Sequence, residues 1–387
     1  MITGSKELIR DINSHLVLET ILNKGPISRA AISNKLGLTK ATISAIVSDL
    51  MENQLIREIG SVDTSLGRKP ILLEFCKEHG HIISVDLGVN MISVFTSDLK
   101  GNHCGLKQFE NNYSRYNIIK GITLLIEQTI RSLPSTAFGV VGICLGIHGV
   151  IHENQITFTP YYNYDQLPFA ETLEEYFHIP VTLENEANLS VLGEKSFCYH
   201  VPNMIGISVH SGIGIGIIIN NGLYTGFNGN AGEFGHTIVE AYGRDCPCGN
   251  KGCLEQYASE RAILHDYAKI KGIPNVTIDT FIEKYNAGDS DAADMAEQFI
   301  KYISVGINNL LNIFNPEVIV INSTFTMYIP DLIGKIESHL KNRMNKYCTL
   351  VPSGLQDTSI LLGGVCVCIN QFLGVDYSEP NSTFTVG

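Results

Sequence analysis

Long apolar runs are missing from this chain. No stretch approaches the roughly 18 uninterrupted apolar residues of a spanning helix, which excludes a helical integral membrane protein. Also missing is a basic-then-apolar start: Met1-Ile-Thr-Gly-Ser-Lys-Glu7 lacks the pattern of a secretory signal, so cytoplasmic residence is the expectation. Charge is sparse, 17% of residues against 44% apolar ones, and that balance excludes a disordered chain. A paired-cysteine framework is absent too. Of ten cysteines, three cluster, and most of the rest sit in apolar runs such as Gly142-Ile-Cys144-Leu145 and Val365-Cys366-Val-Cys368. Buried free thiols in a reducing compartment fit that pattern better than disulfides. What is present is length: 387 residues exceed one ordinary core and imply two or three domains.

The net charge of −12 is unevenly spread. Residues 1–75 hold nine Lys/Arg against eight Asp/Glu, and the remainder eighteen against thirty-one. Only the N-terminal segment can approach a polyanion without strong repulsion. There, residues 13–23 carry helical spacing in Leu16, Thr20 and Ile21, with Leu18 and Leu22 alongside. Pro26 breaks the chain, and Ser28 is placed to cap a second helix to about Leu36. Gly37 supplies a residue tolerant of positive φ for a tight turn. Thr39 then caps a third helix, Lys40 to about Asn53, whose apolar side is Ile43, Ile46, Val47 and Leu50.

Helix, glycine turn and helix make the helix-turn-helix plan, with the third helix for the major groove. The candidate DNA contacts are Ser28, Arg29, Thr39, Lys40, Ala41, Thr42 and Ser44, mostly short polar groups with two cations. Strands at Leu55–Ile59 and Pro70–Phe75 would flank a wing carrying Arg68 and Lys69, a cationic hairpin suited to the DNA backbone or minor groove. The plain alternative is a small three-helix module for protein interaction.

From about residue 80 strands alternate with helices. His81–Gly88, Met91–Asp98 and Cys104–Phe109 read as strands, then a helix over 117–132 and the buried strand Phe138–Leu145. Met204–Ser211 and Ile215–Asn220 open the same plan again, with Asn221-Gly222 as a tight hairpin turn. A strand–strand–helix plan used twice predicts two similar α/β lobes around a cleft.

One cluster stands out. His236, Cys246, Cys248 and Cys253 fall within eighteen residues and offer one imidazole and three thiolates, the ligand set of a closed tetrahedral Zn2+ site. Glu233 and Glu255 sit at fixed offsets from it, as in a ligand pocket rather than a simple staple. A reduced thiol cluster without metal is the other reading.

At these residues the chain resembles the ROK family of repressors and sugar kinases and, within it, the xylose repressors of Gram-positive bacteria. The matching stretches are Pro26-Ile-Ser-Arg29, Gly67-Arg-Lys-Pro70, Glu184-Asn-Glu-Ala-Asn188, Ser211-Gly-Ile-Gly-Ile-Gly216, Gly232-Glu-Phe-Gly-His236 and Cys246-Pro-Cys-Gly-Asn-Lys-Gly-Cys253-Leu-Glu255. The resemblance implies an actin-like body of two RNase-H-like lobes behind an N-terminal winged helix-turn-helix. The expected division is 1–75 for the DNA head, 80–195 with the returning segment 363–387 for the first lobe, and 196–362 for the second, with a zinc knuckle at 236–253. It implies structural Zn2+ on His236, Cys246, Cys248 and Cys253, and a sugar held by Asn163, Asn185, Glu186, Glu233, His236 and Glu255. Dimers or tetramers are common in the family.

The resemblance also marks departures. Glu186 stands where ROK kinases carry the catalytic aspartate, and the extra methylene misplaces a base that must sit about 2.6–3.2 Å from its proton. Val89 and Asn90 replace the glycine and threonine of the phosphate loop after Asp86-Leu-Gly88, and Val318–Thr324 replaces a glycine cluster that packs on adenosine. Gly212, Gly214 and Gly216 survive, as a phosphate loop or for close packing. Gly146-Ile-His148-Gly149 lacks the family's proline, and Tyr161–Tyr164 stands where an Asn-Trp pair is common, in a chain without tryptophan. His148 reads equally as a sugar contact or a solvated loop residue. The expectation is therefore no enzyme and no catalytic residue: a cytoplasmic homodimeric repressor that leaves operator DNA when an aldose, xylose first, enters the cleft. The alternatives are an ATP-dependent ROK sugar kinase, and a ROK regulator governed by another sugar or a protein partner.

Overall fold

The structure is a computed structural model that describes residues 6–61, 70–102, 104–160, 162–340 and 348–375. Among them no helix is long and apolar enough to cross a membrane. The chain divides into two compact units, Met1–Glu184 with Gly364–Gly387, and Asn185–Gly363.

The first unit opens with α1 (Lys6–Lys24), β1 (Ile27–Ser28), α2 (Arg29–Leu36), α3 (Lys40–Glu52), β2 (Ile56–Ser61) and β3 (Ile71–Phe75). Val17, Leu18, Ile21 and Leu22 of α1 bury with Ile32 of α2, with Ile43, Ile46, Val47 and Leu50 of α3, and with Leu73 and Phe75 of β3. The helix spacing read from the sequence is the packing seam, although α1 begins earlier than residue 13. Gly37 ends α2 at φ 67°, a left-handed turn that glycine adopts without strain. The strands order β1-β3-β2, with β2 and β3 antiparallel. Arg68 and Lys69 of the expected wing lie outside the described residues.

Next come β4 (His81–Leu87), β5 (Met91–Ser97), β6 (Gly105–Glu110), α4 (Ile118–Ser132), β7 (Val140–Ile147), β8 (Val150–His152), β9 (Gln155–Phe158), α5 (Phe169–Phe177) and β10 (Val181–Asn185). The sheet runs β10-β7-β4-β5-β6. Inward residues of β4, β5 and β7, among them Ile83, Val85, Ile143 and Leu145, pack with Ile122 and Ile126 of α4 and Phe169 and Leu173 of α5.

The second unit starts with α6 (Glu186–Phe197), which the sequence reading had carried into the first lobe. It continues through β11 (Met204–Val209), β12 (Ile213–Ile219), β13 (Gly222–Leu223), α7 (Glu255–Ala258), α8 (Glu260–Lys271), α9 (Ile278–Asn286), α10 (Ser290–Phe314), β14 (Val318–Ser323), α11 (Thr324–Tyr328), α12 (Leu332–His339) and β15 (Thr349–Pro352). Its sheet, β13-β12-β11-β14-β15, repeats the first plan: an antiparallel meander followed by two strands added in parallel. The β12–β13 turn falls one residue earlier than expected. Asn220 and Asn221 both take positive φ, 51° and 68°, and Gly222 already pairs with Ile219. Asparagine enters the left-handed region readily enough to make this tight hairpin turn. The closing helix α13 (Ser359–Leu373) begins in the second unit and finishes in the first.

Candidate functional site

In the head, two candidate DNA contacts are spent on structure. Ser28 Oγ accepts the Ala31 N–H at 3.2 Å, and Thr39 Oγ1 accepts the Thr42 N–H at 3.2 Å, so each caps its helix. The Thr42 hydroxyl lies 2.9 Å from that of Thr39. Arg29 pairs with Glu58 at 2.8 Å, which sets its guanidinium toward β2. Lys40, Ala41 and Ser44 are exposed on α3. Ala45 and Ser48 extend that face; the sequence reading missed them, although their spacing from Ala41 and Ser44 was the available signal. Arg68 and Lys69 are outside the described residues.

In the second unit the candidate sugar and metal residues gather along β12. Asn185 caps α6, its Oδ1 accepting from Ala187 N at 2.8 Å and Asn188 N at 3.1 Å, while its amide donates to Glu186 Oε2 at 2.9 Å. A Cβ on Gly214 would lie 3.5 Å from Glu186 Oε1, and one on Gly216 only 2.4 Å from Ala187 O. These glycines let α6 lie on the strand, which supports close packing as their role. On the same strand, Gly232 packs against Ile215 O and Gly235 against Ile213 O, where a Cβ would stand 2.2 and 2.5 Å away. Buried Phe234 anchors this segment beneath Gly306 of α10 and so fixes Glu233 and His236 on either side.

His236 stands between two groups. Its Nδ1 is 3.6 Å from Cys246 Sγ and 3.8 Å from Glu255 Oε1, and its Nε2 is 3.9 Å from Glu233 Oε2. Although the Glu233 side chain is 47% exposed, desolvation by the surrounding protein raises it above the ordinary carboxylate range, with His236 opposing the effect and Glu255 adding to it. Cys248 and Cys253 sulfurs are 3.6 Å apart, and the four donor atoms of His236, Cys246, Cys248 and Cys253 lie within 4.8 Å of one another. Sulfurs on a tetrahedron with Zn–S near 2.3 Å stand about 3.8 Å apart, so this donor set fits Zn2+. Gly252, at φ 81°, permits the turn: a Cβ there would sit 1.7 Å from Glu240 O.

Asn163 belongs to the first unit. Arg115 donates to its backbone oxygen at 2.7 Å, to its Oδ1 at 3.0 Å and to Asp165 O at 2.9 Å. Nothing in the sequence announces this brace across 48 residues. In the same unit His148 Nε2 lies 2.9 Å from Asp86 Oδ1, a pairing the sequence reading also missed.

Comparisons with known proteins fit this geometry. Residues 82–370 match the model of the ROK family, and residues 10–57 that of winged helix-turn-helix DNA-binding domains. The chain is 35% identical over 381 residues to the xylose repressor of Bacillus spizizenii, covering 96% of this chain and 98% of that one. Among solved structures, a ROK family transcriptional regulator described as a homolog of the E. coli MLC protein superposes with TM-score 0.83 at 27% identity, covering 96% of this chain and 97% of its own. A ROK family glucokinase from Streptomyces griseus, in complex with glucose and AMPPNP, gives TM-score 0.66 at 23% identity over 74% of this chain and 99% of its own, a likeness of fold. With its helical head, its twice-used sheet plan and a match over most of its length, the chain belongs to the ROK family.

Proposed function

We propose that this protein is a sugar-responsive transcriptional repressor that binds a palindromic operator as a homodimer and leaves it when an aldose, xylose first, is bound. The observation that carries the reading is that a groove-binding head and a ROK body share one chain, in the arrangement of the xylose repressor it matches over 96% of its length. On this reading Lys40, Ala41, Ser44 and Ser48 meet the major groove, with Arg29, Arg68 and Lys69 on the backbone. Asn163, Asn185, Glu186, Glu233, His236 and Glu255 hold the sugar through its hydroxyls, since each carboxylate accepts several such bonds. Zn2+ on His236, Cys246, Cys248 and Cys253 is structural: it orders the knuckle and fixes the His236 ring.

No residue is assigned to phosphoryl transfer. Glu186 replaces the shorter acid of the kinases, and Gly214 and Gly216 are occupied by packing against α6. Release of DNA needs only that sugar favour the arrangement unable to bind the operator. A hundredfold loss of operator affinity corresponds to about 2.7 kcal/mol of coupling, and operator DNA weakens sugar binding by the same factor.

Operator gel shifts with D-xylose, D-glucose and N-acetylglucosamine test the reading. Release by one aldose supports it. An operator complex indifferent to all three, or brisk ATP consumption with any of them in a coupled assay, overturns it.

A further inference from the structure

One amide nitrogen lies between the thiol cluster and a candidate sugar acid. Gln256 follows Glu255 in α7, and its side-chain Nε2 is 3.0 Å from Glu255 Oε1 and 3.5 Å from Cys246 Sγ. Those two atoms are themselves 3.5 Å apart, so the three close a triangle. Glu255 and Cys246 are buried, and Gln256 is half-buried.

The backbone of Gln256 is already held by other groups. Its N–H donates to Cys253 O at 3.0 Å, and its carbonyl oxygen accepts from Arg244 Nη1 at 2.7 Å. Arg244 is fixed in turn, since its Nη1 also reaches Asp266 Oδ2 at 2.7 Å and its backbone N–H donates to the Tyr257 hydroxyl at 2.6 Å. Among the described residues the Gln256 side chain makes hydrogen bonds only to Cys246 and Glu255. An amide is not needed to seat α7, so its use must lie in the triangle.

Charge decides what this amide does. A cysteine bound to Zn2+ is a thiolate and has no proton to give Glu255. Cys246 and Glu255 then meet as two anions in a sheltered place, where like charges repel strongly. A glutamine NH2 carries two N–H groups, one for the sulfur and one for the carboxylate oxygen. Its carbonyl oxygen would be repelled by both, which fixes the amide orientation. N–H groups aimed at anions also make stronger bonds than neutral pairs do. We infer that Gln256 is a positioning residue of the zinc site, donating to the Cys246 thiolate and the Glu255 carboxylate together so that metal and acid can share one wall. This rests on the zinc reading above and adds to it the residue that reconciles the metal with its acidic neighbour.

The test reads zinc affinity in the full-length protein, by competition with a chromophoric chelator, for wild type, Gln256→Leu, Gln256→Glu and Gln256→Lys. Leucine keeps the bulk and removes both N–H groups, and zinc is expected to bind about 10–100-fold more weakly, the range for losing a group that hydrogen-bonds a metal ligand. Glutamate has nearly the same shape but adds a third anion, and it weakens zinc more than leucine does. Lysine restores N–H donors and a positive charge, and stays within about threefold of wild type. In a Glu255→Gln background the repulsion is gone, and the leucine change costs about threefold less affinity than it does beside Glu255. With Co2+ in place of Zn2+, the thiolate-to-metal charge-transfer band moves to longer wavelength in Gln256→Leu, because a sulfur without its hydrogen bond gives up an electron more readily. A side chain that only filled space would leave that band unmoved and tolerate the isosteric glutamate best.

Wild-type zinc affinity in both the leucine and glutamate variants, equal weakening in all three variants, or an unmoved cobalt band overturns the assignment and leaves the zinc reading standing. A wild type that holds no zinc overturns both.

Discussion

Glu233 and His236 face each other across a single turn, with His236 Nε2 3.9 Å from the Glu233 carboxylate and its Nδ1 turned toward Cys246. One ring thus serves the thiol cluster with one nitrogen and the candidate sugar acid with the other. If Glu233 holds the sugar as proposed, the knuckle is more than a staple. A ligand that moves Glu233 acts on a ring whose far side belongs to the cluster.

Removing one thiol tests the link. Cys253 is fully buried, and Cys253→Ser leaves three donors where four fit Zn2+. Zinc per chain, measured by elemental analysis, is expected to fall from one to well below one, with loss of xylose-dependent release in the same preparation. A zinc-free variant that still responds fully to sugar would sink the coupling.

In the head, the expected effects of two substitutions differ in kind. Lys40→Ala should weaken binding to operator and random DNA alike and lower the salt slope by about one unit per head. Ser44→Ala should leave random DNA binding unchanged and relax the preference at one base pair in each half-site. Competition gel shifts at several salt concentrations read both effects, and unchanged operator affinity in both variants would remove α3 from the groove.

Gly216 gives a stability prediction. A methyl group there meets Ala187 O and Val191 Cγ1, each at 2.4 Å. Gly216→Ala is therefore expected to cost about 1–3 kcal/mol by overpacking, seen as a lower urea midpoint. Wild-type stability with an altered nucleotide affinity would instead return this glycine to a phosphate loop.

Buried Glu194 supplies the pH dependence. Its carboxylate takes hydrogen bonds from Ser353 Oγ and from the backbone N–H groups of Leu355 and Gly354. Desolvation nonetheless raises its pKa above the ordinary 4.5. Since the folded state binds this proton more tightly than the unfolded one, the contribution is fullest at low pH. It is lost as pH rises from about 4.5 through the folded value. In urea titrations across that window, Glu194→Gln should show a smaller decline in stability than wild type; identical slopes would show that the group does not titrate there.

Legibility in the sequence followed distance along the chain. The caps at Ser28 and Thr39, the turn at Gly37 and the buried side of α3 were readable because each involves neighbours within four residues. The donor set from His236 to Cys253 was readable because its four ligands fall within eighteen residues. Asn185, a candidate sugar contact, also caps α6 through its Oδ1, a role that its position before a helix suggests. The Arg29–Glu58 and Arg115–Asn163 contacts left no trace in local spacing.

By itself the sequence determined the helices of the head that suits DNA, the opening strands of each lobe and the cluster that suits zinc, because periodicity and short offsets act through adjacent residues. Only the tertiary structure decided which polar groups are already engaged, that Gly214 and Gly216 serve the packing of α6, and that Asp86 meets His148 across 62 residues. The register of β4 against β7 brings those two side chains together, and a register is a property of paired strands that neither strand carries alone.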